Sequence, residues 1–125
     1  MEYIEEEQLK EKLLYKRIVE WDRDKLVLED GTIVTLETSE ADCCAGAYGE
    51  FSNVELDAVI TKVSVGEEVD VPDDDTRVSR NTITIFHNRN VVAMADMTAD
   101  AGNGGYYYSV GSMVIGDLHF PFVQA

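Results

Sequence analysis

The sequence predicts a mainly β fold of the α+β type, with antiparallel meanders forming a sandwich, rolled sheet or open barrel and only two short helices. Three observations predict it. Short runs of β-branched and aromatic residues recur at about 8- to 12-residue spacing between turn signals. An Asp-Gly dipeptide, Asp30-Gly31, separates two such runs. The 125 residues, 45% of them hydrophobic, suffice for one core but leave two independent domains marginal.

Residues 5–14 place Leu9, Leu13 and Leu14 at helical spacing, with Glu6 four residues before Lys10, and predict a short amphipathic helix. Residues 16–37 read as a three-stranded meander. Its strands are Arg17 to Trp21, Leu26 to Leu28 and Ile33 to Leu36, with a turn at Asp22-Arg23-Asp24. A two-residue type I′ turn at Asp30-Gly31 would set Leu28 opposite Ile33 and Val27 opposite Val34.

Ser39-Glu40-Ala41-Asp42 has the form of a capping box, so a second short helix is expected near residues 40–46, ended by Gly46 and Gly49. Residues 39–49 are thus a helix and loop. Residues 54–65 carry the alternation Val59, Thr61, Val63, Val65 of a strand region, and residues 66–79 read as an exposed acidic loop. Residues 80–117 form a second meander with a turn at Asn88-Arg89-Asn90. A hairpin turn at Ala101 to Gly105 leads into a strand from Tyr106 to Val110.

The net charge of −15 is unevenly spread. Residues 31–75 hold twelve acids against the single base Lys62, whereas residues 76–125 balance three acids with three arginines. Such a field repels phosphate, so direct nucleic-acid binding is not expected, and it attracts basic partners. No stretch approaches the length and apolarity of a membrane span. The acidic start, Met1 to Glu7, is unlike a signal peptide, so the expected location is the cytoplasm, with no membrane association. Cys43 and Cys44 are sequence neighbours, too close for ordinary disulfide geometry, and read as free thiols.

Several residues invite a chemical reading. Cys43 or Cys44 with His87 or His119 would make a thiol enzyme, yet Glu40 and Asp42 disfavour a thiolate, and the histidines lie far away in sequence. Buried or half-buried structural cysteines are the plainer reading. The vicinal pair and two distant histidines do not make a zinc motif. Asp70, Asp73, Asp74 and Asp75 supply hard oxygen ligands for a divalent cation, but a charge run of this kind is more commonly solvated. The loop 96–107 lacks the glycine and terminal glutamate of a calcium loop, and Ala101 to Gly105 lacks the lysine and helix of a phosphate loop. No cofactor is called for.

Tyr106, Tyr107 and Tyr108 are the better candidates for partner contact, together with Asp73, Asp74 and Asp75. In a strand, Tyr106 and Tyr108 would face one way and Tyr107 the other, so at least one ring lies off the core side.

Trp21-Asp22, Leu28 to Thr32, Ser39 to Ala45 and Ala99 to Ser109 together resemble a family of small uncharacterised proteins of tailed bacteriophages, of the actinobacteriophage type. The Asp-Cys-Cys and Gly-Asn-Gly-Gly-Tyr-Tyr-Tyr-Ser segments are the specific parts of the likeness. It implies a phage accessory protein in the cytoplasm of an infected host bacterium and assigns no functional residue. The leading expectation is therefore a non-enzymatic acidic protein acting by protein–protein interaction with a basic host or phage protein. A cysteine-dependent enzyme and a minor structural or assembly protein of the particle are the rivals. A homodimer is also expected, since small β proteins hide sheet edges by pairing them.

Overall fold

A computed structural model describes residues 1–73 and 75–125. Eleven strands and one α-helix are found among them: β1 (Glu2–Tyr3), α1 (Glu6–Leu13), β2 (Ile18–Trp21), β3 (Lys25–Leu28), β4 (Ile33–Ala41), β5 (Gly46–Ser52), β6 (Lys62–Val65), β7 (Val69–Val71), β8 (Val78–His87), β9 (Asn90–Asp100), β10 (Ser109–Ile115) and β11 (Leu118–Gln124). They form two packed sheets. The first runs β1-β11-β10-β4-β3-β2 and the second β5-β9-β8-β6, with β7 also paired to β8. The mainly β expectation holds in its sandwich form.

The core lies between the sheets. Leu26, Leu28, Val34 and Met113 from the first sheet meet Phe51, Ile83, Ile85, Ala95 and Met97 from the second, and all are buried. Strand alternation explains the selection, because every second residue of β8 and β9 turns inward. Helix α1 seals one side with Leu9 and Leu13. Its start is fixed by a capping box between Glu5 and Gln8, and Lys10 pairs with Glu6 at 2.8 Å.

The first meander is present, but its register differs from the expected one. Leu26 opposes Val34 and Val27 opposes Ile33, one residue away from the two-residue-turn prediction. The loop holds three residues. Gly31 donates to the Leu28 carbonyl, Leu28 donates to the Thr32 carbonyl, and Gly31 alone takes positive φ, at 88°. This is the bulged hairpin in which a type I turn is followed by a left-handed glycine. Burial enforces it, since the shift brings Leu26, Leu28 and Val34 to the core and leaves Ile33 exposed.

The helix expected near residues 40–46 is absent. Strand β4 instead continues to Ala41, paired with β10 through Ala41–Ser109 and Glu40–Val110, and residues 42–45 turn into β5. Ser39 spends its hydroxyl on Ser112 and His119, 2.5 and 2.7 Å away, rather than on a helix amide. Gly49 is a strand residue. A Cβ there would lie 2.4 Å from Met97 Cγ and 2.5 Å from the Asp96 carbonyl oxygen, so the close approach of β5 to β9 requires glycine.

Three further corrections concern boundaries. Of residues 54–65 only β6 is strand, the preceding segment being held by single contacts such as the Arg17–Val59 bridge. The acidic segment contributes β7 to the edge of the second sheet. Strand β11 extends the fold beyond residue 117, joined to β10 by Gly116-Asp117 with Gly116 in positive φ, as a type II′ turn requires.

Candidate functional site

The topology gathers distant segments at one end of the sandwich. Strand β4 ends at Ala41 beside the start of β10, and Gly46, Asp100 and Val78 stand in one cross-strand row where β5 begins, β9 ends and β8 begins. Residues 42–45, 72–73, 75–77 and 101–108 therefore emerge together. Asp42 donates its amide to the Tyr108 carbonyl at 2.9 Å, Ala101 donates to Arg77 at 2.9 Å, and Gly104 donates to Asp75 at 2.6 Å. Gly102 lies so close to Cys44 that a Cβ would meet the Cys44 carbonyl oxygen at 2.8 Å, and its φ of 77° also demands glycine.

Ser109 fastens the two sheets at this pole. Fully buried, it exchanges backbone hydrogen bonds with Ala125, and its hydroxyl lies 2.9 Å from the Gly46 carbonyl and 2.8 Å from that of Asp100. Asp100 in turn accepts from the Gly102 amide and the Thr76 hydroxyl through Oδ1. The loop 101–108 thus crosses from the second sheet to the first. It is not the hairpin expected, because β9 and β10 belong to different sheets.

Consequently the three tyrosines are not a strand. Tyr106 is 86% exposed and Tyr108 is 44% exposed, while Tyr107 is half-buried against Gly102. The alternating orientation expected of them gives way to loop geometry, since β10 begins only at Ser109. Tyr108 reaches Glu40 Oε1 at 3.4 Å, and the Tyr3 hydroxyl donates to Glu40 Oε2. Partial loss of water around the Tyr3 hydroxyl, reinforced by the Glu40 carboxylate, pushes its pKa up to about 12. The Tyr108 hydroxyl is also pushed upward, by the field of Glu40 first.

Further carboxylates stand near Tyr108. Glu68, Asp70 and Tyr108 line a cleft of about 280 Å³ with Arg77, which makes no ion pair among the described residues. Asp70 accepts from Ser79 at 3.2 Å, and Asp73 accepts from the Asp75 amide at 2.9 Å. Asp74 lies outside the described residues. Among the described residues no three metal-ligating side chains converge.

Cys43 and Cys44 belong to the same pole, and both are exposed rather than buried, a correction to the structural reading. Their sulfurs lie 2.8 Å apart, and the Cys44 neighbour first, then partial loss of water and the field of Asp42, hold the Cys43 thiol above its ordinary pKa. Neither imidazole serves them. His87 sits at the opposite end of β8, and its Nδ1 donates to the Val59 carbonyl at 2.8 Å, which requires the proton on that nitrogen. His119 Nδ1 is engaged by Ser39.

Glu40, Tyr3 and Arg77 are members of the site that sequence reasoning did not single out. Glu40 was concealed inside an apparent capping box. Its signal was the strand pattern of Ile33 to Leu36, which continues through Thr38 once β10 is available as a partner. Tyr3 arrives through the parallel pairing of β1 with β11.

Among the described residues no helix is long and apolar enough to cross a membrane. No curated protein and no solved structure matches the chain. Residues 11–114 match the model of a domain of unknown function, DUF7448, a span that runs from the end of α1 through β2 to β9 and most of β10 and leaves β1 and β11 outside. The chain belongs to the DUF7448 family.

Proposed function

We propose that this chain is a non-enzymatic binding protein that docks its acidic, tyrosine-rich pole onto a basic surface of another protein. The carrying observation is the convergence of residues 40–45, 68–73, 75–77 and 101–108, with Tyr106 and Tyr108 exposed on a pole that also carries Glu40, Asp42, Glu68, Asp70, Asp73 and Asp75. Tyrosines provide large contact area at small entropic cost, and the carboxylates steer a cationic partner and fix its orientation. Ser109 and Asp100 hold the loop from beneath, so little ordering remains to be paid on binding.

The resemblance to tailed-phage proteins supplies the setting of this reading: a phage product in the bacterial cytoplasm, with a host or phage protein as partner. The thiol-enzyme alternative has less support, because the two sulfurs face each other and both imidazoles are engaged elsewhere.

The test is affinity capture from bacterial lysate with the wild-type chain and with Tyr106→Ser/Tyr108→Ser. The reading expects a basic protein retained by the wild type, weakened by moderate salt and lost from the variant. A partner retained equally by both, or none at low salt, would count against it.

A further inference from the structure

The outer face of the second sheet carries a cleft that the pole does not use. Cross-strand pairing sets Tyr48, Thr98, Arg80 and Val69 in one row across β5, β9, β8 and β7. Directly opposed residues share a sheet face, and at about 4.8 Å per strand the row is roughly 14 Å long. Tyr48 at one end is 66% exposed, and Val69 at the other is 60% exposed. A second row, Glu50, Asp96 and Thr82, runs alongside.

Between the rows opens a cleft of about 400 Å³ lined by Arg23, Tyr48, Glu50, Arg80, Asp96 and Thr98. Through Arg80 it adjoins another of about 320 Å³ that reaches Val69. The cleft is preorganised. Arg23 Nε and Nη2 both donate to Glu50 Oε2, at 2.9 and 2.5 Å, and Thr82 donates to Asp96 Oδ1 at 2.5 Å. Arg80 makes no ion pair among the described residues and keeps its guanidinium donors available.

Two arginines against two carboxylates make this cleft neutral on a chain whose net charge is −15. A cation would be drawn to the acidic pole instead, and a polyanion would be repelled by the surrounding field. What the cleft offers is an exposed aromatic face at one end and fixed donors and acceptors along its length. Such a lining suits a ligand with an apolar ring face and many hydroxyls, each able to donate and accept. We propose that this row is a binding cleft for a short neutral oligosaccharide, with Tyr48 as the stacking platform and Arg80 and Asp96 as hydroxyl partners. It stands independently of the docking pole.

The test is an NMR titration of the full ¹⁵N-labelled chain with cellotetraose, maltotetraose, mannotetraose and chitotetraose, with tetragalacturonate as the charged comparator. The expected result is saturable binding of at least one neutral tetrasaccharide, with shifts concentrated at Tyr48, Thr98 and Arg80. Tyr48→Ala and Arg80→Gln, both at exposed positions outside the core, should each weaken it about tenfold or more. Absence of saturable shifts with all four, tighter binding of tetragalacturonate, or shifts that survive both substitutions would overturn the proposal. So would concentration-dependent shifts without sugar at Tyr48 and Val69, which would identify the face as a contact between copies.

Discussion

Asn81 donates its side-chain amide to the Phe122 carbonyl across the interface of the two sheets, at 2.7 Å and in a buried position. The β10–β11 register skips Phe122, which stands at an irregularity between Pro121 and Val123, and it is this residue's carbonyl that Asn81 takes up. Asn81 Oδ1 also accepts from the Thr82 amide at 2.8 Å. One side chain thus satisfies the Phe122 carbonyl of one sheet and the Thr82 amide of the other.

Replacing Asn81 by Leu should therefore destabilise the fold despite adding apolar surface. A stranded buried carbonyl and amide cost about 1–3 kcal/mol. Urea unfolding checks this through a lower midpoint at unchanged slope. An unchanged midpoint would show that another group, or water, satisfies Phe122.

Gly49→Ala tests the approach of β5 to β9. The Asp96 carbonyl cannot swing away as a side-chain end can, so the strand must move, at roughly 1–3 kcal/mol. The expected thermal midpoint is lower than that of Gly46→Ala, where a Cβ meets nothing within 4 Å. Equal midpoints would contradict the packing argument.

Tyr3 predicts an alkaline loss of stability. Its pKa rises from 10.0 to about 12 on folding, so folding favours the protonated phenol. The contribution is complete below pH 10 and disappears as pH rises through 12, since the unfolded chain gives up the proton first. Wild-type stability measured between these limits should fall more steeply than that of Tyr3→Phe. Parallel profiles would mean that the Tyr3–Glu40 contact does not couple to folding.

The cysteine pair predicts slow thiol chemistry. With Cys43 held above its ordinary pKa chiefly by Cys44, labelling of Cys43 by a maleimide or iodoacetamide probe, followed by peptide mass spectrometry, should be sluggish at neutral pH and accelerate in alkali. His87→Ala and His119→Ala should leave the rate unchanged. Fast, histidine-dependent labelling at neutral pH would restore the enzyme reading.

Local patterns made much of this fold legible. The spacing of Leu9 and Leu13, the alternation through β8 and the Asp30-Gly31 hairpin are set by nearby residues and by which face is buried. What escaped depends on partners far along the chain. Ser39 to Asp42 satisfies a capping pattern as well as a strand, and only pairing with β10, some seventy residues on, decides between them. Gly49 looked like a helix stop because its role is a close approach to Asp96 and Met97 that no local pattern encodes. The tyrosine triplet was recognised by composition, but its orientation depends on a loop that changes sheets. The candidate site was accordingly readable as a set of residue types and not as a place.

That Glu40, Asp70 and Tyr108 act together at one pole is the claim on which the functional account turns. Hydrogen–deuterium exchange of the wild-type chain with its captured partner tests it most directly. The account predicts new protection confined to residues 40–45, 68–73, 75–77 and 101–108. Protection over α1 or the outer face of the second sheet, with exchange at the pole unchanged, would contradict it.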